Sequence, residues 1–421
     1  MKFVARFVYR FLIMPLLLLL AHLAGIFNQK INKAVSGRYQ AIRILRNLEN
    51  TKPIVLIHAS SLGEFEHVRP LIYRLGKRFR IIVTFFSPSG FNHAKKSWPD
   101  EVQVYLPFDV FFLWKKLFAQ LKPRLLIISK HDVWPSQVLA AKKNGVPVFL
   151  VNGSLAEKSS RLNPFYRFFL KEAYQALDTV FTISEKDAER FKKYFNPPVV
   201  KVMGDTKFDQ ALIRKERAMG TDLIESSWVN DSVLVLGSIW SEDFRALEPG
   251  LAQLMKTFPK LKIIAVPHQP SEIFVKLLLD FFKPFGVTIF TKRESLSEQR
   301  AIVVDVVGVL ADLYKYASWA YVGGSFKQGI HNVMEAAVYG IPVMFGPVHE
   351  NSFEALDLVR RQGAFVIKTS DDFFEIMQKL LKDPQLAKNM GAKTESYVKS
   401  KTGTTERLLI EWQEVLGKEI K

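Results

Sequence analysis

The chain contains no cysteine in its 421 residues. Disulfides, thiolate metal sites and cysteine nucleophiles are therefore excluded. Two phosphate-binding signatures are also missing. No G-x-G-x-x-G pattern follows a strand and there is no Walker P-loop, so the usual dinucleotide and P-loop motifs are not present. Zinc-finger spacing, an aromatic RNA-binding signature, an isolated basic tail, tandem repeats and low-complexity segments are absent too. Acid is scarce, with 41 Asp and Glu against 59 Lys and Arg, a formal charge of +18. Such an excess of base attracts polyanions: nucleic acid, anionic lipid or phosphorylated substrate. A nucleic-acid reading rests on that charge alone.

Long apolar runs are rare as well, and the one that stands out lies near the start. Phe11 to Phe27 is apolar apart from His22, with Pro15 and Gly25 as helix-weakening residues. It is at the lower length limit for a spanning helix. Lys2, Arg6 and Arg10 precede it, and Lys30, Lys33, Arg38, Arg43 and Arg46 follow it, suited to an anionic headgroup layer. A cleaved signal peptide is disfavoured by the missing A-x-A-like site and by the heavier base after the apolar run. A spanning helix would leave the main body in the cytoplasm, and a helix lying in the interface is the other reading.

The remainder is globular in balance, with 48% apolar and 24% charged residues. Short Val/Ile/Leu runs alternate with amphipathic stretches. Candidate strands are 53–59, 80–86, 102–108, 124–130, 146–152, 179–184 and 199–204, then, after a charged lapse at 214–231, 232–238, 261–268, 287–292, 301–308, 319–325 and 341–347. This alternation predicts an α/β protein with parallel sheets covered on both faces. The expected organisation is an anchor and basic flank at 1–46, a first Rossmann-like domain at 47–212, a linker at 213–230 and a second Rossmann-like domain at 231–421, closed by an amphipathic helix over 404–420. Ligands bind at the carboxyl ends of strands in such sheets, and two facing halves would enclose a cleft.

The densest signal is "YVGGSFKQGIHNVMEAAVYGIPVMFGP" (321–347), where a strand runs into Gly323-Gly324-Ser325 and a helix is expected from near His331. Glycines let backbone N–H groups approach an anion, and a helix N-terminus adds partial positive charge. Asn332 to Glu335 also has N-cap spacing, so a tight turn with a cap explains the same letters. Gly237-Ser238, Pro267-His268 and Gly308-Val309-Leu310 mark three further strand ends of the second half. In the first half, Ser87 and Ser89 of "FFSPSG", Lys130, Asp132 and Trp134 of "SKHDVWP", and Lys207 of "DTKFD" do the same. Hydroxyls, a lysine and a carboxylate suit a polar, anionic substrate. Taken singly, each is equally a loop cap or a solvated charge. "SLGEFE" (61–66) poses that choice most sharply, because Ser61-Leu62-Gly63-Glu64 fits a capping box while Glu64 could also accept a proton.

The stretches "HASSLGEFEHVRPLI", "FFSPSGF", "DVWP", "VNGSLAEKSSR", "GDTKFD", "GSIWSED", "VPHQPSE" and "GGSFKQGIHNVMEAAVYGIPVMFGPVHENSFEA" run in order from about residue 51 to 360. Together they resemble the 3-deoxy-D-manno-octulosonic acid (Kdo) transferases of lipid A assembly, glycosyltransferases of the GT-B fold with an N-terminal anchor. The resemblance implies metal-independent transfer of Kdo from CMP-Kdo, the donor substrate, to a lipid A precursor (lipid IV-A), without a cofactor. It places the enzyme on the cytoplasmic face of the inner membrane, against an anionic membrane surface and not on nucleic acid. Glu64 matches the family's general base, Lys207 a residue that stabilises the transition state, and Asp132 an acidic position of the cleft. Pro267 and His268, Gly308 to Leu310, and Asn332, Val333, Met334 and Glu335 match CMP-binding stretches. Gly237, Ser238, Gly323, Gly324 and Ser325 are candidate donor contacts beside them. Ser61, Gly63, Ser87, Ser89 and Lys130 are candidate substrate contacts. Two departures stand out: Lys130 where many members carry an acid, and Gly153-Ser154 where many carry an arginine after the asparagine. Alternatives are a membrane-tethered GT-B transferase using another nucleotide sugar, or an inactive nucleotide-sugar-binding protein.

Overall fold

Strands such as Ile54–His58 (IVLIH) and Leu125–Ser129 (LLIIS) are buried at every position. Apolar side chains on both faces need cover on both faces, and the crossover helices of a parallel sheet supply it. The computed structural model describes residues 2–49, 52–97, 102–229, 232–292, 296 and 298–417. The chain divides into two units, Met1–Gln210 with Thr402–Lys421, and Ala211–Lys401.

The first unit holds β1 (Ile54–His58), β2 (Arg80–Phe85), β3 (Val102–Tyr105), β4 (Leu125–Ser129), β5 (Val148–Gly153), β6 (Thr179–Thr182) and β7 (Val200–Val202), in the order β3-β2-β1-β4-β5-β6-β7. The second holds β8 (Val233–Ile239), β9 (Lys262–Pro267), β10 (Val287–Ile289), β11 (Ala301–Val303), β12 (Trp319–Val322), β13 (Val343–Phe345) and β14 (Ala364–Val366), in the order β10-β11-β9-β8-β12-β13-β14. The strand pairs of both sheets are parallel. The thirteen expected strands form; β14 was not anticipated, because three residues after Gly363 carry too little pattern to read. In each sheet the chain builds outward on one side and then returns to build on the other. The reversals fall between β1 and β4 and between β8 and β12, the switch points where doubly wound sheets bind ligands.

Three expected boundaries are corrected. The C-terminal segment belongs to the first unit, not the second. Its helix Thr404–Glu411 sends Leu408 and Leu409 into the first unit's core, and Trp412 stacks on Phe149 with ring centroids 5.5 Å apart. Asp209 fastens the return, accepting from the Gly403 N–H at 2.6 Å, the Thr405 N–H at 2.7 Å and the Thr405 hydroxyl at 2.7 Å. The expected linker begins inside a helix, Lys207–Met219, where apolar Phe208 and Ala211 are buried. The basic flank is no separate arm either: helix Gln29–Arg46 buries Ala41 and Leu45 in the first unit's core.

The N-terminal apolar segment forms Lys2–Val8, a π-turn at Tyr9–Ile13 and Met14–Phe27. Pro15 accounts for the π-turn: it lacks an N–H and its ring crowds the carbonyl four residues back, so the ladder shifts and Met14 N–H donates to Tyr9 O. Phe3–Phe27 is long and apolar enough to cross a membrane. Both its ends touch the first unit. Tyr9 Oη donates to Asp109 at 2.7 Å, and Arg6 pairs with Glu172. At the other end His22 lies 3.0 Å from the Tyr39 hydroxyl and 6.1 Å, ring to ring, from Phe108. Asp109 is buried and also accepts from the N–H groups of Ser136 and Gln137 at 2.9 and 2.8 Å, capping helix Pro135–Lys143.

Replacing Asp209 by Ala should leave two backbone donors and one hydroxyl buried without partners, a loss of about 1–3 kcal/mol per unsatisfied group before relaxation. A clear fall in the denaturation midpoint is expected, and unchanged stability would show that the C-terminal segment does not depend on this carboxylate.

Candidate active site

In the first unit, the β1–β4 reversal gathers the polar side chains. Helix Leu62–Gly76 begins just beyond β1, with Ser61 as its N-cap: Glu64 N–H donates to Ser61 Oγ at 3.4 Å. Ser60 N–H donates to Glu64 Oε2 at 2.6 Å, so the glutamate also secures a backbone amide just before the helix. The capping explanation of this motif is therefore physically present. It does not exhaust the residue. Glu64 is only 6% exposed, and burial raises its pKa above the ordinary glutamate range. The Ser60 amide opposes that rise, the charge of Asp132 adds to it, and His58 and Lys130 oppose it.

Asp132 follows β4. His58, fully buried at the end of β1, lies with Nε2 3.0 Å from Asp132 Oδ2. Trp134 Nε1 donates to the same oxygen at 3.1 Å, and Arg161 Nη2 stands 3.7 Å from Oδ1. Burial alone would raise the pKa of Asp132, but the hydrogen bond and charge of His58, with Trp134 and Arg161, bring it down to about 2. An ionised carboxylate only accepts, so His58 Nε2 carries the proton. Its Nδ1 faces Thr84 on β2, 3.0 Å from Oγ1. Two carboxylates in one small region are thus driven apart in proton affinity, an arrangement typical of acid–base sites.

Lys130 has φ +58, a left-handed conformation that a lysine adopts only at some strain, and Asn152 at the end of β5 has φ +54. Asn152 exchanges hydrogen bonds with Thr206, just before helix Lys207–Met219, at 2.8 and 3.1 Å. Asp205 caps that helix through the Lys207 N–H at 2.9 Å, and the Lys207 ammonium stands 3.8 Å from the same carboxylate. His67 Nδ1 lies 3.0 Å from Asp205; burial would raise this carboxyl, but His67 and Lys207 hold it well below the usual range. Ser87 and Ser89 lie at the end of β2. Ser87 Oγ accepts from Gly90 N–H at 3.2 Å, a cap for helix Pro88–Ser97, and lies 3.1 Å from Ser89 Oγ. Gly63 is exposed, with open space where a side chain would stand.

In the second unit, the β8–β12 reversal brings the other expected residues together. Ser238 has φ +55, and its hydroxyl lies 2.8 Å from His268 Nδ1. A Cβ on Gly323 would come within 2.6 Å of Ile239 Cα, and one on Gly237 within 2.8 Å of the Tyr314 ring and 3.1 Å of Leu310. These contacts place 308–310 beside Gly237 and the 323–325 turn beside Ser238. Buried Asp243 organises that turn, accepting from the N–H groups of Gly324 and Trp240 at 2.8 and 2.9 Å and from the Tyr321 hydroxyl at 3.1 Å. Its carboxyl pKa is raised by burial, against those donors. Ser325 Oγ is buried with no hydrogen-bond partner among the described residues.

The helix expected from His331 is corrected: only one turn forms, Met334–Ala337, with Val333 and Met334 buried. Its anion-attracting end is therefore much smaller than a full helix would give. Asn332 Oδ1 accepts from Met334 N–H at 3.1 Å, and Glu335 pairs with Arg214 at 2.7 Å. His331 instead joins an aromatic cluster. Its ring is parallel to that of His268 at 4.2 Å, and Trp240 lies 4.6 Å from His268. Trp240 Nε1 donates to His331 Nε2 at 2.9 Å, so His331 is neutral with its proton on Nδ1. Burial, then His268, lowers its pKa to about 4. Lys327 stands 4.0 Å over the Trp240 ring.

A family described as 3-Deoxy-D-manno-octulosonic-acid transferase (kdotransferase) matches residues 33–210. A relative named 3-deoxy-D-manno-octulosonic acid transferase from Aquifex aeolicus (strain VF5) is 29% identical over 344 residues, 80% of this chain and 88% of that protein. One of the same name from Rickettsia bellii (strain RML369-C) is 23% identical over 418 residues, 97% of each. The chain is thus similar to Kdo transferases over its first unit and, at 23–29% identity, over most of its length. It is a glycosyltransferase. Among solved structures, UDP-GlcNAc 2-epimerase from Neisseria meningitidis bound to UDP-GlcNAc matches with a TM-score of 0.61 at 14% identity, over 87% of this chain and 100% of that one. MurG of Acinetobacter baumannii matches with a TM-score of 0.51 at 15% identity, over 86% and 99%. These likenesses concern the fold, which is of GT-B type.

Sequence reading overlooked the residues that hold the site without resembling a motif. His58 looked like the polar end of a strand, and Asp243 like an acid in a helix's first turn. His331 and Arg161 lay inside matched stretches without an evident role. A charged or imidazole side chain ending a Val/Ile/Leu strand was the available signal for His58.

The turn at Gly324 gives a direct check. It has φ +100, and a Cβ there would also meet the Gly329 carbonyl and lie 2.9 Å from His331. Gly308 has φ +92 with open space around it. Gly324→Ala should therefore lower the melting temperature more than Gly308→Ala, whose loss is confined to backbone strain of about 1–3 kcal/mol. Equal shifts would mean the turn yields without disturbing the cluster.

Proposed function

We propose that the protein transfers Kdo from CMP-Kdo to a hydroxyl of an acylated, phosphorylated glucosamine lipid of the lipid IV-A kind. The reaction is a single inverting displacement without metal. The observation that carries this reading is the buried Glu64 carboxylate at the first sheet's reversal, its pKa raised while its neighbour Asp132 stays ionised. Similarity to the Kdo transferases supports the sugar. A glycolipid hydroxyl is a weak nucleophile until its proton leaves. Glu64 accepts that proton as the oxygen bonds to the anomeric carbon of Kdo. The bond from that carbon to the phosphate oxygen breaks, and CMP departs with the electron pair. General-base help of this kind contributes ~10²–10⁴-fold.

In this reading the second unit holds the donor. The strand ends at Gly237-Ser238, Pro267-His268, Gly308 to Leu310, Gly323 to Ser325 and Asn332 to Glu335 converge, and the unpartnered Ser325 hydroxyl is a natural ligand contact. Lys207 is assigned to the charge that develops on the departing phosphate. Lys130 and Arg161, both near Asp132, supply positive charge for a phosphorylated acceptor.

The decisive experiment gives purified protein CMP-Kdo and a tetra-acylated lipid A precursor and weighs the lipid product, with and without chelator. Addition of Kdo in both is expected; no addition overturns the reading. Glu64→Gln should retain CMP-induced thermal stabilisation while losing transfer by ~10²-fold or more. The acid limb of kcat/KM in the wild type should lie above the ordinary glutamate range, because the base must be ionised and its pKa is raised. Asp132→Asn should move that limb to lower pH by removing a negative neighbour. Near-normal turnover of Glu64→Gln would remove this residue from the role.

The apolar N-terminal helix is proposed to lie along the cytoplasmic surface of the inner membrane, since the same unit grips it at Tyr9 and at His22. The absence of native cysteine makes labelling clean. Phe3→Cys and Asn28→Cys should both react with an impermeant maleimide from the cytoplasmic side of vesicles. Labelling from opposite sides would establish a spanning helix instead.

A further inference from the structure

A cavity of about 410 Å³ lies between the N-terminal helix and helix Pro164–Gln175 in the first unit. One wall is Tyr9, Ile13 and Leu17; the opposite wall is Phe165, Phe169 and Leu170. Asp132, Trp134 and Arg161 also line it, so the chamber has a polar part at the carboxylate cluster and an apolar part against the N-terminal helix. We infer that this cavity receives one hydrocarbon chain of the acylated acceptor, holding the glycolipid so that its sugar reaches Glu64. The inference rests on the proposed reading that the acceptor is an acylated glycolipid.

Four observations carry it. The walls offer carbon, and the hydroxyl of Tyr9 is already committed to Asp109 at 2.7 Å, so little is left to hold water. The mouth is continuous with exposed apolar surface: Leu17 is 49%, Phe165 62% and Tyr166 54% exposed. The polar end is charged, with Arg161 anchored to His131 O at 3.0 Å and facing the ionised Asp132, which suits a polar headgroup attached to an apolar chain. Trp134 marks the division: its indole N–H is on Asp132, and its ring stacks on Phe86 at 5.5 Å. The widened turn forced by Pro15 supplies both Tyr9 and Ile13 to the wall. An amphiphile drawn from a bilayer matches this gradient end to end.

The test uses the full chain in detergent and two readouts. In the first, glucosamine carrying a single saturated acyl chain brominated close to its amide carbonyl is titrated against intrinsic fluorescence. Saturable quenching that disappears in Trp134→Phe is expected. Ile13→Trp and Leu17→Trp, which fill the chamber from two positions, should weaken the half-saturation at least about tenfold, comparable to losing the burial of roughly two methylenes; their added indoles are corrected for with a non-brominated chain. In the second, kcat/KM for a tetra-acylated acceptor is divided by that for its deacylated form. The ratio should fall about tenfold in both filling variants and be kept in Ile13→Leu. No saturable quenching of Trp134, or an unchanged ratio in both filling variants, overturns the inference. Quenching as expected with no Kdo transfer to either acceptor by the wild type would leave the chamber standing and overturn the proposed reaction instead.

Discussion

Two acidic side chains share the end of one parallel sheet, and a buried imidazole makes that tolerable. His58 takes Asp132 as its hydrogen-bond partner, so one carboxylate is held ionised while burial and that neighbouring charge leave Glu64 with a raised pKa. Without His58 the Asp132 charge would keep only the Trp134 indole N–H and the more distant Arg161, and poorly compensated buried charge is unfavourable. The strand order makes the pairing possible. β1 and β4 are adjacent only because the chain reverses there, which brings residue 58 within reach of residue 132.

The second unit solves a comparable problem with a different group. A turn of closely packed glycines exposes backbone N–H groups that need a fixed direction, and the Asp243 carboxylate binds those of Gly324 and Trp240 together with the Tyr321 hydroxyl. Glycine at 237 and 323 is required by neighbours, since a side chain would strike Tyr314 or the backbone at Ser238 and Ile239. The stacked imidazoles of His268 and His331, flanked by Trp240, form a flat, mostly uncharged surface beside this turn.

The N-terminal helix is built into the first unit. Pro15 obliges a π-turn, and that turn presents Tyr9 to the buried Asp109, which in turn caps helix Pro135–Lys143 directly after the Asp132 loop. The apolar segment is therefore joined by a short chain of hydrogen bonds to the element that carries the acidic cluster. The apolar segment and the acidic cluster share one set of contacts.

Much was legible beforehand for a physical reason. Period and composition are local, so thirteen strands, the two α/β halves and the apolar N-terminal segment could be read from runs of Val, Ile and Leu. Glycine and polar residues at strand ends also marked the 321–347 stretch and Glu64, because turns have strict chemical requirements. The three-residue β14 and the single helical turn at Met334–Ala337 were not legible, since short elements are decided by packing and not by propensity. The amphipathic tail announced a helix but not its host; that was decided by Trp412 on Phe149 and by Asp209, which is almost two hundred residues away in sequence. The amino-acid order by itself determined which of the longer segments become strands and helices, because those depend on neighbours along the chain. Only the tertiary structure decided that His58 belongs to Asp132, Asp243 to Gly324 and Tyr9 to Asp109, because a hydrogen bond across a sheet or between distant helices leaves no periodic trace in the sequence.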